Sequence, residues 1–168
     1  MGGEGELSER LSASRQRLLR AISGVTEQQF KQRPPATDSE TQPWCIAEVL
    51  AHLLLAERER SGWIEQALDG SEPAIEPMTP AALDAQTRAA RMAPVPQLIH
   101  GLLAARRELE RRLDRAAADD ALQRAVRHPE QGRLDIELLV GGCAEAEEEH
   151  AGRIEALRIA VGARALEV

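Results

Sequence analysis

The chain has 168 residues and a formal net charge of −7, and it contains one Phe, two Trp and no Tyr. This length can bury a hydrophobic core, so we expect residues 1–168 to form a single domain. The acidic balance and the scarcity of aromatic residues argue against nucleic-acid binding, which uses basic surfaces and stacking side chains. The sequence shows neither a signal-like N-terminus nor an apolar run of membrane-spanning length, so we expect a soluble, cytoplasmic protein that does not bind membranes.

Four long segments carry apolar residues at helical spacing. They predict helices over residues 7–23, 45–68, 95–116 and 134–161, with a short additional helix at 80–90. Connections rich in proline and glycine separate these segments, and no segment predicts a strand. Four long amphipathic helices indicate an all-α fold, a four-helix bundle. The long connection between the second and third helices permits an up-down-down-up order.

His150 stands near the middle of the apolar stripe of the fourth helix, where a leucine is usual. A histidine on a core face costs free energy of desolvation unless its ring nitrogens are bound. Glu147 lies one helical turn earlier, at the edge of the same stripe, so a carboxylate and an imidazole project in similar directions. Two interpretations remain open: a core histidine hydrogen-bonded to another helix, or a metal ligand.

The second and third helices also carry polar residues on their inner faces. Glu57 lies within the apolar stripe of the second helix, His52 lies on its flank, and Arg106 is in line with the leucines of the third. Glu57 and Arg106 can form an internal ion pair, because buried charges are usually paired. His52 and His150 are ligand types for a divalent metal, and bundles build metal sites from facing helices.

The remaining candidates have simpler interpretations. His128 precedes a proline in a predicted loop, and we interpret it as a turn residue rather than a ligand. Cys45 and Cys143 lie inside apolar patterns, which indicates buried free thiols.

Two stretches and one residue pair resemble the motifs of the DinB/YfiT-like superfamily. The stretch 44–64, WCIAEVLAHLLLAERERSGWI, resembles the family's second helix, in which a tryptophan precedes a His-Leu pair, an alanine and a glutamate. The stretch 127–157 is similar to the family's last motif, a His-Pro element and a glycine before a helix that carries histidine. The matching residues are His52, Leu53, Ala56, Glu57, the Arg106-Arg107 pair, His128, Pro129, Gly132, Leu134, His150 and Ile154. The resemblance covers residues 7–157.

The resemblance implies a four-helix bundle that is commonly a homodimer and that holds a divalent metal, often zinc or nickel, with three histidines. His52 and His150 match two of these ligands, but Ala146 stands where the family has the other histidine. Active members resemble metal-dependent thiol transferases, isomerases or hydrolases, in which the metal polarises a thiol or a water molecule. The homodimer is further favoured by three apolar residues that lie off the main stripes of their helices, namely Leu54, Leu55 and Ile159.

The missing histidine leaves two functional hypotheses. In the first, Glu147 replaces it, and His52, Glu147 and His150 form the metal site of an enzyme that acts on a thiol or another small molecule. In the second, the bundle and the dimer persist without a tightly bound metal. The cleft then binds a small molecule or a protein partner, or has no ligand, and does not catalyse a reaction.

Overall fold

The computed structural model describes residues 3–164. Within this range the chain forms α1 (Gly3–Ile22), α2 (Glu27–Lys31), α3 (Ile46–Asp69), α4 (Pro80–Ala89), a 3-10 turn (Ala90–Met92), α5 (Val95–Ala118), β1 (Ala125–His128), β2 (Gly132–Asp135) and α6 (Ile136–Ala160). The long helices α1, α3, α5 and α6 correspond to the four predicted helices and form the predicted bundle. None of the helices in this described range is both long and apolar enough to cross a membrane.

Contacts between the long helices establish the up-down-down-up order. α1 runs parallel to α6, and α3 runs parallel to α5, because residue numbers rise together along each pair. α3 and α6 are antiparallel, because residue numbers rise along one as they fall along the other. Between α1 and α6 the contacts are Arg10–Glu145 and Arg17–Glu155. Between α3 and α5 they are Glu57–Arg106 and Asp69–Arg115. Between α3 and α6 they are His52–His150 and Arg60–Gly142.

The apolar stripes of the four helices meet in the interior. Leu11, Leu50, Ile64, Leu109 and Ile154 are completely buried there. Burial of a leucine or isoleucine side chain stabilises the fold by about 1.5–3 kcal/mol, so this core sets the rotation of each helix. The polar residues that share the stripes are therefore held inside the bundle as well.

The prediction that the chain has no strand was wrong. β1 and β2 form an antiparallel hairpin in which His128 faces Gly132, and Gly132 has a φ of 76° that favours glycine. The hairpin is joined to the segment before α4, because the N–H of Ile75 donates to the carbonyl of Arg127. Asp135, at the end of β2, accepts the N–H of Leu138 and so starts α6.

Candidate functional site

Four charged side chains, one from each long helix, meet inside the bundle. Arg15 donates to Glu57 at 3.1 Å and to Glu147 at 2.6 Å. Arg106 donates from Nε to Glu57 and from Nη2 to Glu147, each at 2.7 Å. All four residues are buried, and their charges sum to zero. The ion pair between Glu57 and Arg106 that the sequence predicts is therefore present, within a larger charge network.

Further hydrogen bonds bind the remaining donor and acceptor atoms of the charge network. Nη1 of Arg15 donates to the carbonyl of Leu102 at 2.9 Å, and Nη1 of Arg106 donates to the carbonyl of Leu11 at 2.7 Å. The Ser14 hydroxyl donates to Glu147 at 2.6 Å. Burial by itself would lower the pKa of Arg106, but Glu57 and Glu147 raise it above its usual value. The guanidinium consequently remains charged although it is buried.

The expectation that Glu147 substitutes for the missing histidine does not agree with this arrangement. Both of its carboxylate oxygens accept hydrogen bonds, from Ser14, Arg15 and Arg106. A cation brought to this carboxylate would meet two guanidinium groups of like charge. Nowhere in residues 3–164 do three or more His, Cys, Asp or Glu side chains come together in a way that could hold a metal ion.

His52 of α3 and His150 of α6 lie face to face. Their ring centroids are 5.2 Å apart and their planes are 25° from parallel. Trp44 packs on His52 with a centroid distance of 4.9 Å, and the guanidinium of Arg153 lies 5.1 Å from a Trp44 ring centroid. The two histidines that the sequence places on inner faces are thus in contact with each other.

Each of these imidazoles has a ring nitrogen that forms no hydrogen bond with the described residues. Nδ1 of His150 lies 2.6 Å from the carbonyl of Ala146, which can only accept, so Nδ1 carries the hydrogen and Nε2 of the neutral ring keeps its lone pair. Nδ1 of His52 is buried and has no hydrogen-bond partner among the described residues. Burial, and next the electrostatic effect of the neighbouring His150 ring, lower the pKa of His52, which keeps its ring neutral at pH 7.

A cavity of about 300 Å³ lies beside His52. Its lining comes from α3, α4, α6, the hairpin and the segment before α4. The polar side chains that line it are His52, Glu59, Arg60, His128 and Gln131. This volume is at the lower end of the range, about 300–1,000 Å³, that is common for small-molecule pockets.

His128 has a second role that the sequence interpretation missed. It is a turn residue, because its Nδ1 accepts the backbone N–H groups of Glu130 and Gln131, each at 3.1 Å. It is also only 9% exposed, and its ring packs edge-on against Trp63 in the wall of the cavity. With Nδ1 accepting, the hydrogen of the neutral ring is on Nε2, so this nitrogen of His128 is a hydrogen-bond donor and has no free lone pair for a metal.

Arg15 and Arg60 were also not identified from the sequence. Arg15 follows Leu11 by four residues and precedes Leu18 by three, which is the spacing of one helix face and was an available signal. Arg60 had no comparable signal. It reaches the cavity because its Nη1 donates to the carbonyl of Gly142 on α6, at 3.0 Å.

The protein's own cysteines are poorly suited to react. Cys45 and Cys143 are free and buried, as predicted. Burial raises the pKa of Cys143 to about 11 and also raises the pKa of Cys45. Because the thiolate is the nucleophilic form, neither residue is activated at neutral pH. A thiol that reacts in this cavity would have to come from a bound molecule.

Comparison with known proteins assigns the family. Residues 6–162 match the family model described as Mycothiol-S-transferase, and the chain belongs to this family. The resemblance to DinB/YfiT-like proteins is confirmed. No curated protein sequence matches the chain.

Solved structures share the fold. YfiT from Bacillus subtilis, described as a probable metal-dependent hydrolase with an unusual four-helix bundle topology, aligns with a TM-score of 0.75 and 18% identity, over 96% of this chain and 89% of its own. A mycothiol-dependent maleylpyruvate isomerase aligns with a TM-score of 0.68 and 17% identity, over 98% of this chain and 65% of its own. The colibactin self-resistance protein ClbS, solved with double-stranded DNA, aligns with a TM-score of 0.70 and 14% identity, over 95% of this chain and 97% of its own. Identities this low show a common fold alone.

Proposed function

We propose that the protein is a metal-dependent thiol transferase or hydrolase, in which His52 and His150 hold a divalent zinc or nickel ion. The main support is the buried Nδ1 of His52, which has no hydrogen-bond partner among residues 3–164. This nitrogen belongs to a ring that stacks on the ring of His150. A buried polar atom without a hydrogen bond costs free energy, and a bound ion or water would offset that cost.

The donor set fits a divalent ion only in part. Neutral imidazoles are suitable ligands for zinc and nickel, and the structure supplies two of them. Ala146 contributes no ligand, and Glu147 is held by Arg15 and Arg106. Water or a substrate would have to fill the other coordination positions, so we expect weaker binding than at a site with three histidines. When bound, the metal would lower the pKa of a thiol or water that reaches it.

The chain's own residues support chemistry on an external thiol. The buried cysteines are protonated at neutral pH, so the reacting sulfur would belong to a co-substrate. The family match makes mycothiol our candidate for that thiol. The cavity next to His52 would receive the second substrate, with its apolar wall excluding water from the reacting groups.

One observation favours a second candidate function. Within residues 3–164 no third acidic, histidine or cysteine side chain joins the two imidazoles. If the two histidines hold no ion, the protein is a non-catalytic family member, and its cavity binds a small molecule or a partner protein.

Metal titration tests the first proposal against the second. Protein purified without an affinity tag or chelator is titrated with zinc and with nickel by calorimetry. We expect one ion per chain, with binding lost in both His52→Ala and His150→Ala. His100→Ala, which removes an exposed histidine on α5, should bind as the parent does. Failure of the parent to bind either ion would reject the enzyme proposal and favour the second candidate.

A thiol assay then tests catalysis. Metal-loaded protein should accelerate the consumption of mycothiol by a small electrophile, and His150→Ala should not. Metal binding without any acceleration would also leave the second candidate as the better description.

We also propose, from the family resemblance, that two copies of the chain associate. Of the apolar residues that favoured this in the sequence, Leu54 is buried in its own bundle, whereas Ile159 is 73% exposed. Light scattering at micromolar concentration should give a dimeric mass. A monomeric mass would contradict the proposal.

A further inference from the structure

Arg60 brings a positive charge to the lining of the cavity beside His52. Its guanidinium is half-buried and lines the cavity, and one of its nitrogens donates to the backbone carbonyl of Gly142. Among residues 3–164, Arg60 takes part in no ion pair. This differs from Arg15 and Arg106, the buried arginines of the charge network, which each bind two carboxylates. A partly desolvated cation without a counter-ion indicates a place for an anion.

His128 adds a second N–H donor to the residues that line this cavity. Because its Nδ1 accepts two backbone N–H groups, its remaining nitrogen carries the hydrogen. The edge-on packing against Trp63 holds the ring in place. A planar guanidinium and an imidazole N–H in one cavity suit a carboxylate, because its two oxygens can accept several hydrogen bonds.

The rest of the cavity indicates what the carboxylate is attached to. Trp63, Leu134, Leu138 and Leu139 line it together with Met78. These side chains favour an apolar body, and the volume of about 300 Å³ limits it to a small one. Glu59 also lines the cavity and accepts the N–H of Met78, which ties this carboxylate to the segment before α4. A remaining negative charge there would weaken binding of an acid without preventing it.

We propose that Arg60 and His128 form a carboxylate-binding subsite, and that the small-molecule substrate is an organic acid with an apolar body. The subsite rests on the proposed function for its link to a reaction, but the binding itself needs no metal. In this subsite Arg60 would select acidic substrates for the cavity beside His52.

The test compares an acid with its neutral amide. The probes are 3-phenylpropanoate and 3-phenylpropanamide, titrated by calorimetry or NMR into protein kept in EDTA, so that no metal can hold the carboxylate. For the parent protein we expect the acid to bind at least about tenfold more tightly than the amide. Equal binding of the two probes, or binding of neither, would overturn the inference.

Variants assign the preference to the two residues. Arg60→Gln should remove the preference for the acid, whereas Arg107→Gln, the same change at an exposed position of α5, should keep it. His128→Asn keeps an oxygen that can accept the turn N–H groups but lacks the distal donor, and should weaken acid binding roughly 3–10-fold. Glu59→Gln should strengthen it. An unchanged preference in Arg60→Gln would overturn the assignment, and the comparison of probes on the parent does not depend on that variant folding.

The subsite and the metal proposal can fail separately. His52→Ala should lose metal binding yet keep the preference for the acid. A protein that binds no metal but prefers the acid would retain the subsite and lose the enzyme proposal. A protein that binds metal but shows no preference for the acid would retain the metal site and lose the carboxylate-binding subsite.

Discussion

Glu147 of α6 accepts a hydrogen bond from Nη2 of Arg106 on α5 at 2.7 Å, and both side chains are buried. Glu57 and Arg15 complete the charge network, so every long helix contributes one charge. Such a cluster is tolerated only when all its members are paired, because removing one leaves an uncompensated charge in the interior. The network therefore joins the four helices in one register, and α6 carries His150 one turn after Glu147.

Loss of Arg106 should strongly destabilise the protein. We expect Arg106→Ala to lower the free energy of unfolding by about 3–5 kcal/mol, because Glu57 and Glu147 lose a buried partner. A urea titration measures this. Arg107→Ala, a charge-matched change at the exposed neighbouring position, should stay within about 0.5 kcal/mol of the parent. A loss below about 1 kcal/mol for Arg106→Ala would show that the network contributes little.

Glu147→Gln separates a structural role from a role in metal binding. Both of its oxygens are held by Ser14 and the two arginines, so we expect this change to lower stability while leaving zinc affinity unchanged. His150→Ala should abolish zinc binding in the same titration. Zinc affinity that falls tenfold or more in folded Glu147→Gln would show that Glu147 is a metal ligand and contradict a purely structural role for it.

The sequence predicted the parts of this site that depend on helical periodicity. His52, Glu57, Arg106 and His150 each lie on or beside an apolar stripe, and a helix converts such spacing directly into a shared face. The same reasoning placed Glu147 next to His150 but could not show which way its carboxylate turns. The orientation of that carboxylate depends on Arg15, which binds it from another helix, α1.

The parts that the sequence did not predict depend on short elements or on tertiary contacts. Strands of four residues are too short to show a clear alternation, so the hairpin was missed, and with it the position of His128. The five-residue helix α2 was also missed, although Thr26 and Gln29 form a capping box with a recognisable spacing. Arg60 lines the cavity because α3 and α6 pack together, which no local pattern reveals.

The cysteines should resist alkylation in the folded protein. Burial raises the pKa values of Cys45 and Cys143, in the second case to about 11, so the reactive thiolate is scarce at pH 8. We expect iodoacetamide at pH 8 to modify neither residue in native protein and both in urea, as measured by intact mass. Rapid modification of native protein would show a thiol accessible for chemistry and would weaken the case for an external thiol.

Restoring the family's third histidine should strengthen the metal site. Ala146 lies one helical turn before His150, and its carbonyl already accepts the hydrogen on Nδ1 of that ring. A histidine at 146 would lie on the same face of α6 as His150, since residues four apart are neighbours on a helix. We expect Ala146→His to tighten zinc or nickel binding by more than about tenfold, because a third imidazole replaces a water ligand. Ala156→His, which adds a histidine to an exposed position of the same helix, is the control and should bind as the parent does. If the parent already binds metal as tightly as Ala146→His, the site is not weakened by the missing histidine, and the enzyme proposal gains over the non-catalytic one.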